Sequence, residues 1–294
     1  MGICTYIASK HIKGDGRMQK LSGVIAIDDG GSSTCVVTKN GNEMFPSIKG
    51  RYGERHLTSA TGKHDFIVEY QGEKYVMGTL ALYDCAMPLQ MHTNSKQHDF
   101  FDLSVLVAIH KYGYLSNNVI VSVPIAMHNE DEKNGRIARL KKSHTITVNG
   151  ETKTFAINDV KVAPESAVAY WVDELEGKHR FLDLGSRTIG YATTINQYGN
   201  VRFIDSESGT IFGKGLEALD TNYNARALAD FVCGKLLSKW GERDRVQLLG
   251  GGALDAELVA HIRSYFPNAV VMENPKVANA VGMYNLGRIT YNSN

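Results

Sequence analysis

Apolar residues along the chain come in short runs, each closed by a cluster of turn formers. Val24-Ile25-Ala26-Ile27 runs into Asp28-Asp29-Gly30-Gly31-Ser32-Ser33-Thr34, and Cys35-Val36-Val37 carries the chain out. An apolar run, a tight polar turn and a second apolar run predict a β-hairpin. Phe181-Leu182-Asp183-Leu184-Gly185-Ser186-Arg187-Thr188-Ile189-Gly190-Tyr191-Ala192 repeats that order: apolar run, Asp, Gly, hydroxyls, apolar run. A third glycine turn, Gly250-Gly251-Gly252-Ala253, closes the run Val246-Gln247-Leu248-Leu249.

The stretches between these turns read more plainly. Residues 40–83 predict strands, with turns at Lys39-Asn40-Gly41-Asn42 and Gln71-Gly72. Residues 100–112 predict a core helix by their 3.6 period, and the near-continuous apolar run from Asn118 to Pro124 predicts a strand buried on both faces. Residues 129–142 are densely charged and predict an exposed helix, either a solvated face or a contact for a subunit or adaptor. A hairpin around Asn149-Gly150 and a helix holding Tyr170 and Trp171 follow. Beyond the second Asp-Gly turn we expect a strand pair over 189–205 and a broken helix from about 215 to 239, its apolar face built from Leu216, Leu228, Val232 and Leu236. A helix over 255–265, a strand over 269–272 and a closing helix from Asn274 complete the chain.

The polar turns carry the candidate chemistry. Gly30 and Gly31 allow close approach of backbone to a ligand, and Ser32, Ser33 and Thr34 supply donors that suit phosphate oxygens. Asp28, ending a buried strand, can hold a divalent cation through its water shell. An ordinary hairpin with a polar tip is the alternative for either turn taken alone.

Composition narrows the class. A net charge of +1 gives no bulk field toward nucleic acid or membrane. No run approaches the length of a membrane span. Cys4, Cys35, Cys85 and Cys233 have no CxxC spacing and read as reduced thiols filling core, in keeping with the cytoplasm. The histidines form no HxxxH or HExxH pair, against a catalytic zinc. Residues 1–20 are polar and aperiodic, not a secretion signal; we expect a flexible tail, or a functional start at Met18.

Two Asp-Gly hairpins followed by a strand ending in Gly-Gly-Gly-Ala resemble the actin, sugar-kinase and heat-shock-ATPase superfamily. The wording is narrower still. Ile27-Asp28-Asp29-Gly30, the Asn149-Gly150 hairpin, Val160-Lys161-Val162-Ala163-Pro164-Glu165-Ser166, Asp183-Leu184-Gly185 and Asn274-Pro275-Lys276-Val277-Ala278-Asn279-Ala280-Val281-Gly282 resemble the plasmid-segregation actins of the ParM (StbA) family. The likeness runs from about Val24 to Ala192 and resumes at Val246. It implies an α/β fold with duplicated actin/ribonuclease-H-like domains around a nucleotide cleft. The implied first domain spans 21–178, with a small β-rich part at about 40–85, and is completed by 274–294. The implied second domain spans 179–273. The short stretch between Asp183 and Gly250 resembles the short AlfA-like form, lacking one subdomain (IIB).

By the same resemblance Asp28 and Asp183 would hold Mg2+, through water, and Gly30, Gly31, Ser32 and Ser33 would wrap the β/γ-phosphates of ATP or GTP. Gly185, Ser186, Arg187 and Thr188 would hold them from the other side. Glu165 would orient the attacking water, and Gly250, Gly251 and Gly252 would abut the nucleoside. The plainer alternatives are a helix-start carboxylate for Glu165 and a turn former for Asp183. The chain departs from the family at Ser186-Arg187, at Ile189-Gly190, and in having no lysine in the first hairpin. Slow hydrolysis, or a substitute cation, is the expectation. The resemblance implies an ATPase that assembles into homopolymeric filaments and moves a plasmid through a DNA-binding adaptor, with no direct nucleic-acid or membrane contact. The rivals are a small-molecule kinase of sugar type on the same superfold and a nucleotide-gated binding module with negligible turnover.

Overall fold

The computed structural model describes residues 22–53, 62–85, 99–216 and 223–291. The expected N-terminal tail lies outside the described residues.

The first part of the chain builds β1 (Ser22–Asp29), β2 (Ser33–Thr38), β3 (Gly41–Pro46), β4 (Lys49–Arg51), β5 (Asp65–Tyr70), β6 (Glu73–Gly78), α1 (Thr79–Asp84), α2 (Asp99–Tyr112), β7 (Ser116–Val123), α3 (Glu130–Leu140), β8 (Ser143–Val148) and β9 (Glu151–Pro164). The described strands form one sheet in the order β3-β2-β1-β7-β9-β8-β5-β6-β4. β1, β7 and β9 run parallel; β2 and β3 fold back antiparallel. A 3-10 turn over Ala167–Val172 leads out of this sheet.

The second part builds β10 (Gly177–Leu184), β11 (Thr188–Gln197), β12 (Asn200–Phe203), β13 (Gly209–Phe212), α4 (Ala225–Leu236), β14 (Val246–Leu249), α5 (Ala256–Tyr265), β15 (Val270–Val271) and α6 (Ala278–Thr290). Its sheet runs β12-β11-β10-β14-β15, with β13 on β11. β10, β14 and β15 are parallel, and β11 and β12 return antiparallel. This is the order of β3-β2-β1-β7-β9 again, so the two sheets repeat one topology.

β1 is apolar throughout because both of its faces are covered. Ile25 and Ile27 join the core under α2, with Leu106, Val107 and Phe45. Val24 and Ala26 face the other way, into a core with Ala280 and Met283 of α6. In the second sheet Leu182 and Leu184 pack with Leu228, Val232 and Leu236 of α4 and Leu258 and Ile262 of α5. The alternate residue of β10, Phe181, packs with Ala167, Ala169 and Tyr170 of the 3-10 turn and Ala278 of α6. The two halves therefore meet through that turn and α6, the two places where the chain crosses between them.

Three expectations change. The charged stretch 129–142 is a helix, but Arg136 and Leu140 are fully buried, so it is no simple solvated face. Tyr170 and Trp171 lie in a 3-10 turn and not an α-helix, since Ser166 before it sits at φ 63°, a left-handed conformation that breaks regular entry. α4 begins only at Ala225, where the Asn224 side chain accepts from the Ala227 N–H. Residues 217–222 of the broken helix lie outside the described residues.

Candidate functional site

The two hairpins are equivalent residue for residue. Asp28 is paired opposite Cys35 and Asp29 opposite Thr34 across β1 and β2. Asp183 stands opposite Gly190, and Leu184 opposite Ile189, across β10 and β11. Asp28 and Asp183 thus occupy the same register in each copy, one residue before the last position of the incoming strand.

The tips of the two hairpins touch. A Cβ placed on Gly31 would lie 2.8 Å from Cδ of Arg187 and 2.9 Å from its Nε, so any side chain there would displace the arginine from its path across the tip. The polypeptide after β13 braces the second tip from behind: the Gly215 N–H donates to the Arg187 carbonyl at 3.1 Å, and the Leu216 N–H to the Gly185 carbonyl at 3.1 Å. Within the tip the Gly185 N–H donates to the Thr188 carbonyl at 3.1 Å.

Between the hairpins lies Glu165, just past the end of β9. The Ser122 hydroxyl on β7 lies 2.8 Å from Oδ1 of Asp28 and 3.3 Å from Oε1 of Glu165. The parallel register puts Ile27 beside Val121, hence Asp28 beside Ser122. One hydroxyl therefore ties the first acidic hairpin to Glu165. On the far side Asn279 Nδ2 donates to Asp183 Oδ2 at 2.7 Å. The glycine triplet closes the same end: a Cβ on Gly250, which sits at φ 82°, would fall 2.5 Å from Asp183 Oδ1. Gly251 and Gly252 open the 3-10 turn that follows, so the third turn lies against the second hairpin.

Burial pushes the Asp183 carboxyl up to about 7, Glu165 and Asp28 push the same way, and the Asn279 hydrogen bond opposes them. Asp183 therefore senses the acids contributed by the other half of the molecule. In the unfolded chain it ionises near 3.8, so folding stability falls as pH rises from about 4 to about 7 and stays reduced above that. We expect Asp183→Asn to remove this slope in the ligand-free protein. The displacement from 3.8 to about 7 is worth up to about 4 kcal/mol. Melting curves at pH 4.5 and pH 8 check it: the variant should gain on the wild type only at the higher pH, and an equal gain at both would contradict it.

A second set of charges lies beneath the first tip, where the sequence pattern points to none. Asp29 is 1% exposed and pairs with the fully buried Arg136 of α3 at 2.5 Å. Lys49 of β4 is buried and donates to Ser104 Oγ at 2.5 Å. Burial drives its amine down to about 7, against the pull of Asp29 and with the push of Arg136. Asp102 of α2 pairs with Arg139 at 2.5 Å. The first hairpin does lack its own lysine, but Lys49, Arg136 and Arg187 bring cations to it from three other elements. Thr34 turns away from the tip: its hydroxyl is buried and bonded to Ser47 Oγ at 2.8 Å. Ser32 and Ser33 keep partly open positions at the tip. Cys35, opposite Asp28, has its thiol pushed up to about 12 by burial and by Asp28, which makes it a poor nucleophile.

Asp28, Asp183, Glu165, the two hairpin tips and the glycine triplet are brought to one place. Ser122, Ser166, Asn279, Lys49 and Arg136 were not legible as site neighbours. Ser122 had a signal, being a lone hydroxyl inside an apolar strand that must lie beside β1. The Ile189-Gly190 departure also has a reason. A Cβ on Gly190 would lie 2.0 Å from Ser166 Oγ, so a side chain there has no room while Ser166 keeps its place. Among the described residues no three His, Cys, Asp or Glu side chains cluster closely enough to ligate a metal directly.

Residues 26–167 match the family of actin-like proteins through its N-terminal domain. The chain superposes on a ParM filament structure from Clostridium botulinum with a TM-score of 0.74 at 17% identity, over 92% of this chain and 99% of that one. It superposes on AlfA from a B. subtilis plasmid, in its filament, with a TM-score of 0.71 at 22% identity, over 88% of this chain and 97% of that one. An AlfA filament bound to AMPPNP gives 0.67 at 21% identity, over 92% and 95%. No curated protein matches the chain. The fold is the one shared by these filament proteins, and residues 26–167 carry the likeness to the actin-like N-terminal domain. Its mixed α/β architecture of two mixed sheets is the one built by ParM and AlfA.

Proposed function

We propose that this protein is a nucleotide-dependent, filament-forming ATPase or GTPase that segregates a plasmid or similar replicon. The observation that carries this reading is the meeting of two register-equivalent acidic hairpins with Glu165 between them. In this reading a single triphosphate lies between the hairpins, and an AlfA filament of the same fold is bound to the triphosphate analogue AMPPNP.

In this reading the N–H and hydroxyl groups of Gly30, Gly31, Ser32 and Ser33 grip the β/γ-phosphates from one half, and Gly185, Ser186, Arg187 and Thr188 from the other. The glycine triplet abuts the nucleoside. Two carboxylates with no third direct ligand suit Mg2+, which keeps most of its waters and takes substrate phosphates as ligands. Asp28 and Asp183 would hold it through water, and the ion would supply charge neutralisation on the phosphates. Glu165 orients a water and accepts its proton as the oxygen bonds to the γ-phosphorus. The bond from that phosphorus to the bridging oxygen breaks, giving the diphosphate and inorganic phosphate. Arg187, crossing from one tip to the other, stands where a cation would balance the growing charge.

The filament is homopolymeric and the cargo is held through a DNA-binding adaptor in the cytoplasm. A chain of net charge +1 has no field of its own for DNA. Among the described residues no helix is long and apolar enough to cross a membrane.

Light scattering and phosphate release with Mg2+ and ATP, GTP or AMPPNP test the reading. We expect scattering to rise with AMPPNP and persist, and to rise with ATP or GTP and decay as phosphate appears. Phosphate transferred to a sugar without assembly would make the protein a kinase. Assembly-free binding with no turnover would make it a nucleotide-gated module.

A further inference from the structure

Asn279 is the second residue of α6, 8% exposed, and its amide is used at both ends. Nδ2 donates to Asp183 Oδ2 at 2.7 Å, and Oδ1 accepts from the Ser166 N–H at 2.9 Å. Ser166 follows Glu165 directly and is held at φ 63°, a strained conformation that a serine keeps only where its surroundings impose it. Its Oγ is buried, faces Gly190 and lies close enough to Asp183 to favour the ionised carboxyl, while its backbone N–H is held by Asn279, which constrains this turn. One side chain therefore joins the acid of the second hairpin to the residue that aims Glu165. It does so from α6, which packs on β1 and the 3-10 turn and belongs to neither acid's own strand.

Resting on the functional reading above, we infer that Asn279 is a positioning residue. It yokes Asp183 to the Glu165 turn, so that both carboxylates reach hydrolytic geometry together when the halves are closed. Glu165 is set by Ser122 on one side and, through Ser166, by Asn279 on the other. Loss of the yoke is expected to leave the phosphate-gripping tips in place, because the hydrogen bonds of the Asn279 amide go to Asp183 and Ser166, before the second tip and after Glu165. Binding and turnover should then separate.

The experiment is steady-state hydrolysis by full-length wild type, Asn279→Ala, Asn279→Ser and Asn285→Ala. Asn285 lies on the same helix and donates to the Trp171 carbonyl at 2.9 Å, a hydrogen bond of similar kind with no link to either acid. A misplacement of reacting groups by about 1 Å costs up to about a hundredfold in rate. We expect kcat of Asn279→Ala to fall at least about tenfold with KM within about twofold, and Asn285→Ala to keep both. A wild-type kcat in Asn279→Ala overturns the inference, as does an equal fall in Asn285→Ala, which would mean general loosening of α6. Should the alanine variant fail to fold, the smaller change to serine decides, and a wild-type kcat there overturns it as well. Wild-type protein that binds no nucleotide or releases no phosphate sinks the functional reading and this inference with it. Unchanged turnover in the variants sinks the inference alone.

Discussion

Glu165→Gln is expected to lower phosphate release by about a hundredfold or more while leaving nucleotide-driven assembly intact. General-base assistance contributes about 10²–10⁴ in rate, and glutamine cannot take the proton. The amide keeps the size of the side chain and an oxygen within reach of Ser122, whose hydroxyl lies 3.3 Å from Oε1. Filaments of the variant should therefore form with ATP and outlast those of the wild type. Phosphate release followed beside light scattering reads both effects. Wild-type turnover in the variant would remove Glu165 from the chemistry, and loss of assembly would give it a structural part instead.

Arg136→Met is expected to destabilise the protein by about 3 kcal/mol or more, the usual loss when one partner of a buried ion pair is removed. Asp29 is 1% exposed, so its charge has no direct outlet to solvent. Lys49 lies within electrostatic reach and can regain its proton, which keeps the loss toward the lower end of the 3–5 kcal/mol seen for such pairs. For a chain of this size that is a fall in melting temperature of about 5 °C. The double variant Asp29→Asn/Arg136→Met should recover most of it, because neither charge is then left behind. Melting curves of the three proteins settle it; a single variant as stable as the wild type would show that the pair contributes nothing. The damage should be felt at the phosphate tip, since Asp29 immediately precedes Gly30.

Much of this architecture can be read from residues alone. Apolar runs of β1, β7 and β10 announce strands covered on both faces, and Asp-Gly and Asn-Gly pairs announce the hairpins. The repeat of Asp28 in Asp183 points to a duplicated unit, which the matching sheet orders bear out. What escapes is long-range pairing between polar groups. Arg136 sits in a stretch so rich in charge that it looks solvated, and only the position of α3 behind the first tip makes it a core residue. Lys49 is an ordinary lysine until β4 carries it under Asp29. Asn279 stands between Ala278 and Ala280, small neighbours that suggest packing, and its hydrogen bonds reach 96 and 113 positions back along the chain. Periodicity reports which face of an element is buried. It cannot report which distant element meets that face.

The placement of α6 has a further consequence for how the protein is made. Val24, Ala26 and Ile120 leave the ribosome well before Ala280 and Met283 of the helix that covers them. A nascent chain must hold one side of its first sheet uncovered while the second half is built. Only once translation has passed Thr290 can that face of the first sheet be sealed and the two halves be joined through α6.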